Sequence, residues 1–305
     1  MANNKKLVGR CRSDVIYDVF LFVVLTLIFL IVAYPLYFVI ISSFSDPIAV
    51  AGGKVTFYPI GFTLDGYKEV FKTETVMRGF VNSVIYTVVG VVINLVVTLP
   101  TSYALSRKDF PLRKPITYFY MVTMFIGGGM IPTYLVIVKT GLINTMWSLV
   151  IPGAISVYNM IVARTFFLTN IPQELMEAAK LDGCGNTKFF FYVCLPLSGA
   201  ITAILVLYYG QGHWNSYFNA LMYISDRKKW PLQLELRNIL ILNSEALQEK
   251  GIQSEEMRAE KERLEALANM MKYSLIIISS IPMLVIYPFI QKYFVKGVMI
   301  GAVKG

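Results

Sequence analysis

Along this chain the apolar positions gather into long runs rather than into the one-sided stripes of a soluble fold. Six runs, near 19–41, 79–104, 116–138, 142–163, 197–224 and 273–291, hold no Asp, Glu, Lys or Arg. A hydrocarbon core of ~30 Å takes about 20 helical residues to cross. The pattern therefore predicts an all-α polytopic membrane protein with six transmembrane helices. The first run is longer than the 7–15 apolar residues of a secretory signal. It is followed by Ser42-Ser43-Phe44-Ser45, a poor cleavage site, and reads as a retained anchor. The organisation expected is a tail over 1–18, a permease-like membrane domain over 19–296 and a second tail over 297–305. Two polar stretches interrupt the domain, at 171–196 and 225–272.

Charge changes this picture only by orienting it. The net charge of +9 spreads over inter-span segments, which reads as topology and not as a nucleic-acid surface. By raw count Lys and Arg divide evenly between the two sides. The dense clusters nearest the spans are Lys5, Lys6, Arg10 and Arg12, then Arg107, Lys108, Arg113 and Lys114. Short basic segments beside spans favour the cytoplasm, so both termini are expected inside a cell (plasma) membrane. Cys11, Cys184 and Cys194 then face a compartment where disulfides are rare. The chain holds one histidine, His213, and no phosphate-binding glycine loop, so neither a metal cluster nor nucleotide hydrolysis is expected in it.

The absence of charge within the spans bears on mechanism. Ion-coupled transporters usually keep ionisable groups at membrane depth. Without them, uphill transport has to draw its energy from another subunit. The 171–196 stretch has the sequence of a device for that purpose. Pro172 ends what precedes it, and Gln173, Glu174 and Glu177 suit a helix start. Asp182-Gly183 breaks the helix, with Gly183 fit for a left-handed turn. A second helix is expected from Asn186 to Val193, closed by Leu195-Pro196.

These residues resemble a known family. Glu177-Ala178-Ala179, two residues, Asp182-Gly183, then Phe189 and Leu195-Pro196 are similar to the "EAA" signature of ABC-importer permeases; Cys184 and Gly185 replace the frequent Ala and Ser. The resemblance implies the type I importer permease fold, with the elbow as a cytoplasmic coupling helix docked on an ATPase. Trp214 to Phe218 with Leu221-Met222-Tyr223 resembles the fifth-span signature of maltose-type, carbohydrate-uptake permeases. Phe62 to Tyr67 and Asn82-Ser83 resemble the stretch leading into the second span of those same permeases, while Gly127 to Phe167 and the ending from Tyr293 resemble a subgroup associated with complex oligosaccharides. The implied partners are a homologous permease subunit, two ATPase subunits carrying ATP and Mg, an extracytoplasmic solute-binding protein, membrane lipid and a carbohydrate. No cofactor is implied on this chain itself.

At 100° per residue, Tyr208, Gln211, Asn215, Asn219 and Met222 share one stripe of the fifth span, with Phe218 beside it. Amides in line do not face lipid. Two roles fit: a path for a sugar, whose hydroxyls and CH faces match amides and rings, or interhelical packing by hydrogen bonds. His213 lies about 140° from Tyr208 on this projection and falls off the stripe. Gly127–Gly129 and Pro132 predict a broken or closely packed helix. Ser254 is a candidate N-cap for a helix with Met257, Leu264, Leu267 and Met271 on one face, either a solvated extension of the sixth span or a docking surface. Asp226 to Pro231 is the better candidate for touching the solute-binding protein. The competing class is a secondary transporter or channel for a small polar solute, which has no use for the elbow. A membrane enzyme lacks any catalytic constellation here.

Overall fold

The computed structural model describes residues 12–246, 269–289 and 291. Among them all regular structure is helical. The elements are α1 (Arg12–Ser43), α2 (Pro47–Ala51), α3 (Asp65–Lys72), α4 (Glu74–Ser106), α5 (Arg113–Phe125), α6 (Met130–Lys139), α7 (Trp147–Val150) and α8 (Val157–Asn170). They continue with α9 (Gln173–Leu181), α10 (Asn186–Leu197), α11 (Gly199–Trp214), α12 (Phe218–Tyr223), α13 (Leu232–Ala246) and α14 (Asn269–Phe289). The tail up to residue 11, the helix expected from Ser254 through Leu267 and the C-terminal tail lie outside the described residues. Two units are present, one running to residue 68 and taking in 269–277, the other formed by 69–246 and 278–291.

The larger unit is organised on α4. One face of this helix is made of small and polar residues three or four positions apart: Gly79, Ser83, Tyr86, Gly90, Asn94, Thr98, Ser102 and Ser106, all buried. The opposite face carries Val81, Val84, Ile85, Val88, Val92 and Val96, all exposed. This is the inverse of a soluble helix and follows from the solvent. Lipid accepts valine, while small residues let neighbouring backbones come close. α4 packs most extensively against α11, α8 and α13. Where α4, α8, α10 and α11 meet, Leu99, Tyr103, Phe167, Phe189, Phe190 and Leu205 form the main apolar core.

The predicted spans fare unequally. Three helices, α1, α4 and α14, are long and apolar enough to cross a membrane. Two bent pairs also pass together, α5 with α6 at 115° and α10 with α11 at 79°, so the described residues supply three to five candidate spans. The first bend falls at Gly127–Gly129, with Gly129 at φ 83°, at the expected break. The run 142–163 is not one helix. It is helical at α7, irregular through 151–156 and helical again from Val157, because Pro152 has no N–H to give and Gly153 adds backbone freedom. The run 197–224 also breaks, at 215–217, where Asn215 caps α11.

In the smaller unit α1 presents apolar side chains all round, and none in its most hydrophobic window is buried. Such a helix has lipid or another protein as its solvent. After it, Asp46 caps α2 by accepting from the Ala49 N–H at 3.2 Å, and Phe44 stacks on Phe62 with ring centres 5.8 Å apart. Tyr67 donates its hydroxyl to Ser43 Oγ at 2.8 Å. Gly66 sits where α3 meets the start of α14, and a Cβ there would stand 2.5 Å from the Met270 carbonyl oxygen and 2.6 Å from Ser274 Oγ. Gly66→Ala is therefore expected to lower stability by about 1–3 kcal/mol through overpacking. A drop in the melting temperature of the solubilised protein checks it, with exposed Lys54→Ala in the same unit as a comparison expected to do less.

Candidate functional site

The elbow is built by local chemistry. α9 starts after Pro172 and ends in a Schellman turn: Gly183, at φ 74°, donates its N–H to Lys180 O at 3.0 Å, and Cys184 donates to Ala179 O at 2.8 Å. No heavy atom lies within 4 Å of a Cβ built on Gly183, so the requirement for glycine there is conformational. Ala179 packs half-buried against the main core and Phe189 is fully inside it. Ala178 and Glu177 face outward, Glu177 accepting from Gln173 Nε2 at 2.8 Å. α10 does not stop at Leu195-Pro196 as expected. It widens into a π-helical turn over Phe190–Cys194 and runs to Leu197. No residue of α9 is buried, and Leu181 at its tip is 90% exposed. Its position, between Lys180 and Asp182, marks it only once the turn geometry is known.

A charge cluster joins the elbow to the end of α4. Arg107, 7% exposed, grips Asp109 with both arms, Nε to Oδ1 at 2.8 Å and Nη2 to Oδ2 at 2.5 Å. It also donates to the Tyr103 hydroxyl at 2.8 Å and to Asn186 Oδ1 at 3.1 Å. Lys180 reaches Asp109 Oδ2 at 3.2 Å. The Arg107 hydrogen bonds, opposed by partial burial and assisted by Lys180, hold the Asp109 carboxyl well below the usual carboxylate range. Beside the cluster is a cavity of about 360 Å³ whose walls include Gln173, Met176, Glu177 and Phe167.

A second cavity, of about 440 Å³, lies among the breaks of the larger unit. Tyr208 and Asn219 line it, together with His213, Ser216 and Asn159. Gln211, Asn215 and Phe218 are exposed but do not line it. His213, expected away from the stripe, does. The helical projection fails here for two reasons. α11 ends at Trp214, so no angle carries through to Asn219. The cavity is also a gap between α11, α12 and the 151–156 bend, opened on the His213 side by Gly212.

Asn94 closes the back of this gap. Its Nδ2 donates to Gly153 O at 2.7 Å and Ala154 O at 2.9 Å, the carbonyls set free by the break. Both amide hydrogens are then used, so Oδ1 is the acceptor for His213 Nε2 at 2.7 Å. The neutral imidazole is thereby set as the Nε2–H tautomer, with Nδ1 left as an acceptor. Gly90 makes room, since a Cβ there would lie 2.4 Å from His213 Nε2. The Thr98 and Tyr209 hydroxyls pair at 2.7 Å, and Tyr209 also accepts from the Ser156 N–H at 3.1 Å.

On the other side of the unit, the turn 226–231 is held from three directions. Asn82 donates to the Lys228 and Trp230 carbonyls, and Tyr86 to that of Lys229. Asn144, at φ 58°, accepts from the Asp226 N–H and from Lys229 Nζ. Arg227 forms two 3.0 Å hydrogen bonds with Glu235, whose side chain is 1% exposed.

A lipid-facing helical bundle with broken spans, a polar gap among the breaks and a rigid external elbow defines a transport permease. No family model matches the chain. It is 37% identical over 292 residues to the polygalacturonan/rhamnogalacturonan transport system permease protein YtcP of Bacillus subtilis, covering 95% of this chain and 99% of that one. It is 26% identical to the arabinooligosaccharides transport system permease protein AraQ of Halalkalibacterium halodurans, covering 90% and 92%. A solved structure, of a bacterial ABC transporter involved in the import of the acidic polysaccharide alginate, matches with TM-score 0.82 at 28% identity over 93% of this chain and 99% of that one. The chain belongs to the family of ABC-importer permease subunits.

Asn94 offers a direct test of the gap. Asn94→Leu strands two carbonyls and one imidazole N–H, each unsatisfied group costing about 1–3 kcal/mol. A markedly lower melting temperature and complex yield are expected, with His213→Ala milder because it orphans a single acceptor.

Proposed function

We propose that this chain forms half of the membrane path of a carbohydrate importer, with ATP and Mg bound and hydrolysed on separate subunits. The observation that carries the reading is the full-length likeness to permeases of sugar-import systems. The elbow supports it in its own terms. α9 is exposed, ends in a glycine-dependent turn and presents Leu181, which suits insertion into a cleft of an ATPase. Glu177, Ala178, Ala179, Asp182 and Gly183 form the docking arm. Phe189 and Leu195 anchor it to the bundle, and Pro196 beside them is exposed. The assembly proposed is this chain, a homologous permease, two ATPase subunits and a solute-binding protein that meets the 226–231 turn. Six crossings, with the 142–163 run as a broken span, put the tails 1–18 and 297–305 on one side, and the basic clusters beside the spans assign that side to the cytoplasm.

The substrate is an oligosaccharide. The gap at Tyr208, Asn219, Asn159, Ser216 and His213 offers hydroxyl, amide and imidazole partners with aromatic faces, and none of its lining residues is Asp, Glu, Lys or Arg. A neutral lining reads hydroxyls and ring faces. Each hydrogen bond to a passing sugar is worth only about 0.5–1.5 kcal/mol net, which suits release as much as entry. Gln211, Asn215 and Phe218 extend the path towards its open side. A channel or secondary transporter leaves the elbow unexplained.

The proposal is tested on the intact complex. Gly183→Val is expected to abolish uptake with the chain still in the membrane, since β-branched residues resist positive φ. Glu177→Lys is expected to weaken ATPase co-purification. Normal uptake and co-purification in both would remove the coupling assignment. For the path, Tyr208→Ala and Asn219→Leu are expected to shift relative uptake across a panel of oligogalacturonides and arabino-oligosaccharides at unchanged complex yield. Unchanged preference with lost assembly assigns these residues to packing instead.

A further inference from the structure

The Arg107–Asp109 pair lies in neither the docking arm nor the path, yet it touches α4 at Tyr103, α9 at Lys180 and α10 at Asn186. Arg107 is the first residue beyond α4, and four of its five N–H groups are engaged. Through Asn186 it holds the first residue of α10. Through Asp109, which Lys180 shares, it holds the last turn of α9. Both arms of the elbow are thus tied to one guanidinium–carboxylate pair at the end of one helix. A bidentate pair fixes direction as well as distance. Apart from this tie, α9 meets the bundle only through half-buried Met176 and Ala179 among its own side chains. α8 is tied to the same point, Arg164 Nε donating to Leu105 O at 3.0 Å.

The other end of the lever is α4 itself. Asn94 and Thr98 on its buried face hold the broken backbone at Gly153–Ala154 and the Tyr209 hydroxyl, which border the larger cavity. A displacement delivered to the elbow therefore has a stiff, charged route to α4 and from there to the walls of the gap. We propose that Arg107 and Asp109 are positioning residues of the coupling step, clamping both arms of the elbow to α4 so that the three move as one body. The proposal rests on the reading of the elbow as the ATPase contact. The lowered pKa of the Asp109 carboxyl, set first by its hydrogen bond to Arg107, keeps the clamp charged throughout the physiological pH range.

The test uses the assembled complex in lipid nanodiscs, with the native cysteines replaced by Ala and spin labels at Val96 on the lipid face of α4 and at Glu174 on α9. Distance distributions are measured by pulsed electron resonance without nucleotide and after trapping with ATP and vanadate. With the clamp intact, the distribution is expected to be narrow and the same in both states. Asp109→Ala is expected to broaden it, or to shift it on trapping, and Asp109→Glu to restore it. A narrow, state-independent distribution in the assembled Asp109→Ala complex would overturn the proposal, as would a state-dependent distance with the clamp intact. If Asp109→Ala fails to assemble, Lys180→Met removes only the exposed arm and carries the same expectation in weaker form. An unchanged distribution there would then count against the clamp. Failure of the underlying elbow reading shows separately, as normal ATPase co-purification by Gly183→Val and Glu177→Lys.

Discussion

Everything in the larger unit depends on one constraint: a backbone carbonyl at membrane depth has no water to turn to. Spans that break for transport expose such carbonyls at each break. α4 resolves this with a stripe of small polar side chains. Asn94 takes the Gly153 and Ala154 carbonyls, and Ser102 donates to Met160 O at 3.0 Å. Asn82 and Tyr86 take the carbonyls of the 226–231 turn, and Ser83 accepts from the Leu232 N–H at 2.8 Å. The irregular segments thus regain, through side chains of α4, hydrogen bonds that a helix would have made within itself. An unpaired polar group in this medium costs several kcal/mol, so α4 is the member of the bundle whose polar residues are least replaceable.

The same arrangement joins structure to transport. The path proposed for a sugar needs polar walls, and polar walls in a membrane need internal partners. The breaks at 151–156 and 215–217 supply both, since they leave a gap and expose amides and hydroxyls into it. Asn94 serves the break on one side and orients His213 on the other. The chemistry of the gap and the stability of the fold are thus carried by the same atoms. Changes at Asn94 or His213 therefore cannot be expected to alter selectivity alone.

The elbow follows a different logic, because no residue of α9 is buried. Its arm is shaped by helix propensity, a glycine turn and a few apolar anchors, and it shows solvent an exposed leucine. Charge is effective there because the Arg107–Asp109 pair is half sheltered. Its hydrogen bonds are worth more than those of a surface pair, and Lys180, more exposed, adds less.

The local features of this protein are legible in its sequence. Runs of apolar residues mark where the chain enters lipid, because hydrocarbon tolerates no charge. Pro172, Asp182 and Gly183 mark the elbow, because helix starts and left-handed turns are decided within a few residues. Gly127–Gly129 marks a bend for the same reason. What the sequence could not carry was the partnership of distant groups. That Asn94 meets Gly153 and His213, that Arg107 meets Asn186, and that His213 rather than Gln211 lines the gap depend on which faces come together across the bundle. A helical projection assumes an unbroken helix, and the fifth run breaks where the projection was needed. Side-chain direction beyond a break is set by packing and by the search of stranded carbonyls for donors, and only the tertiary structure decides that.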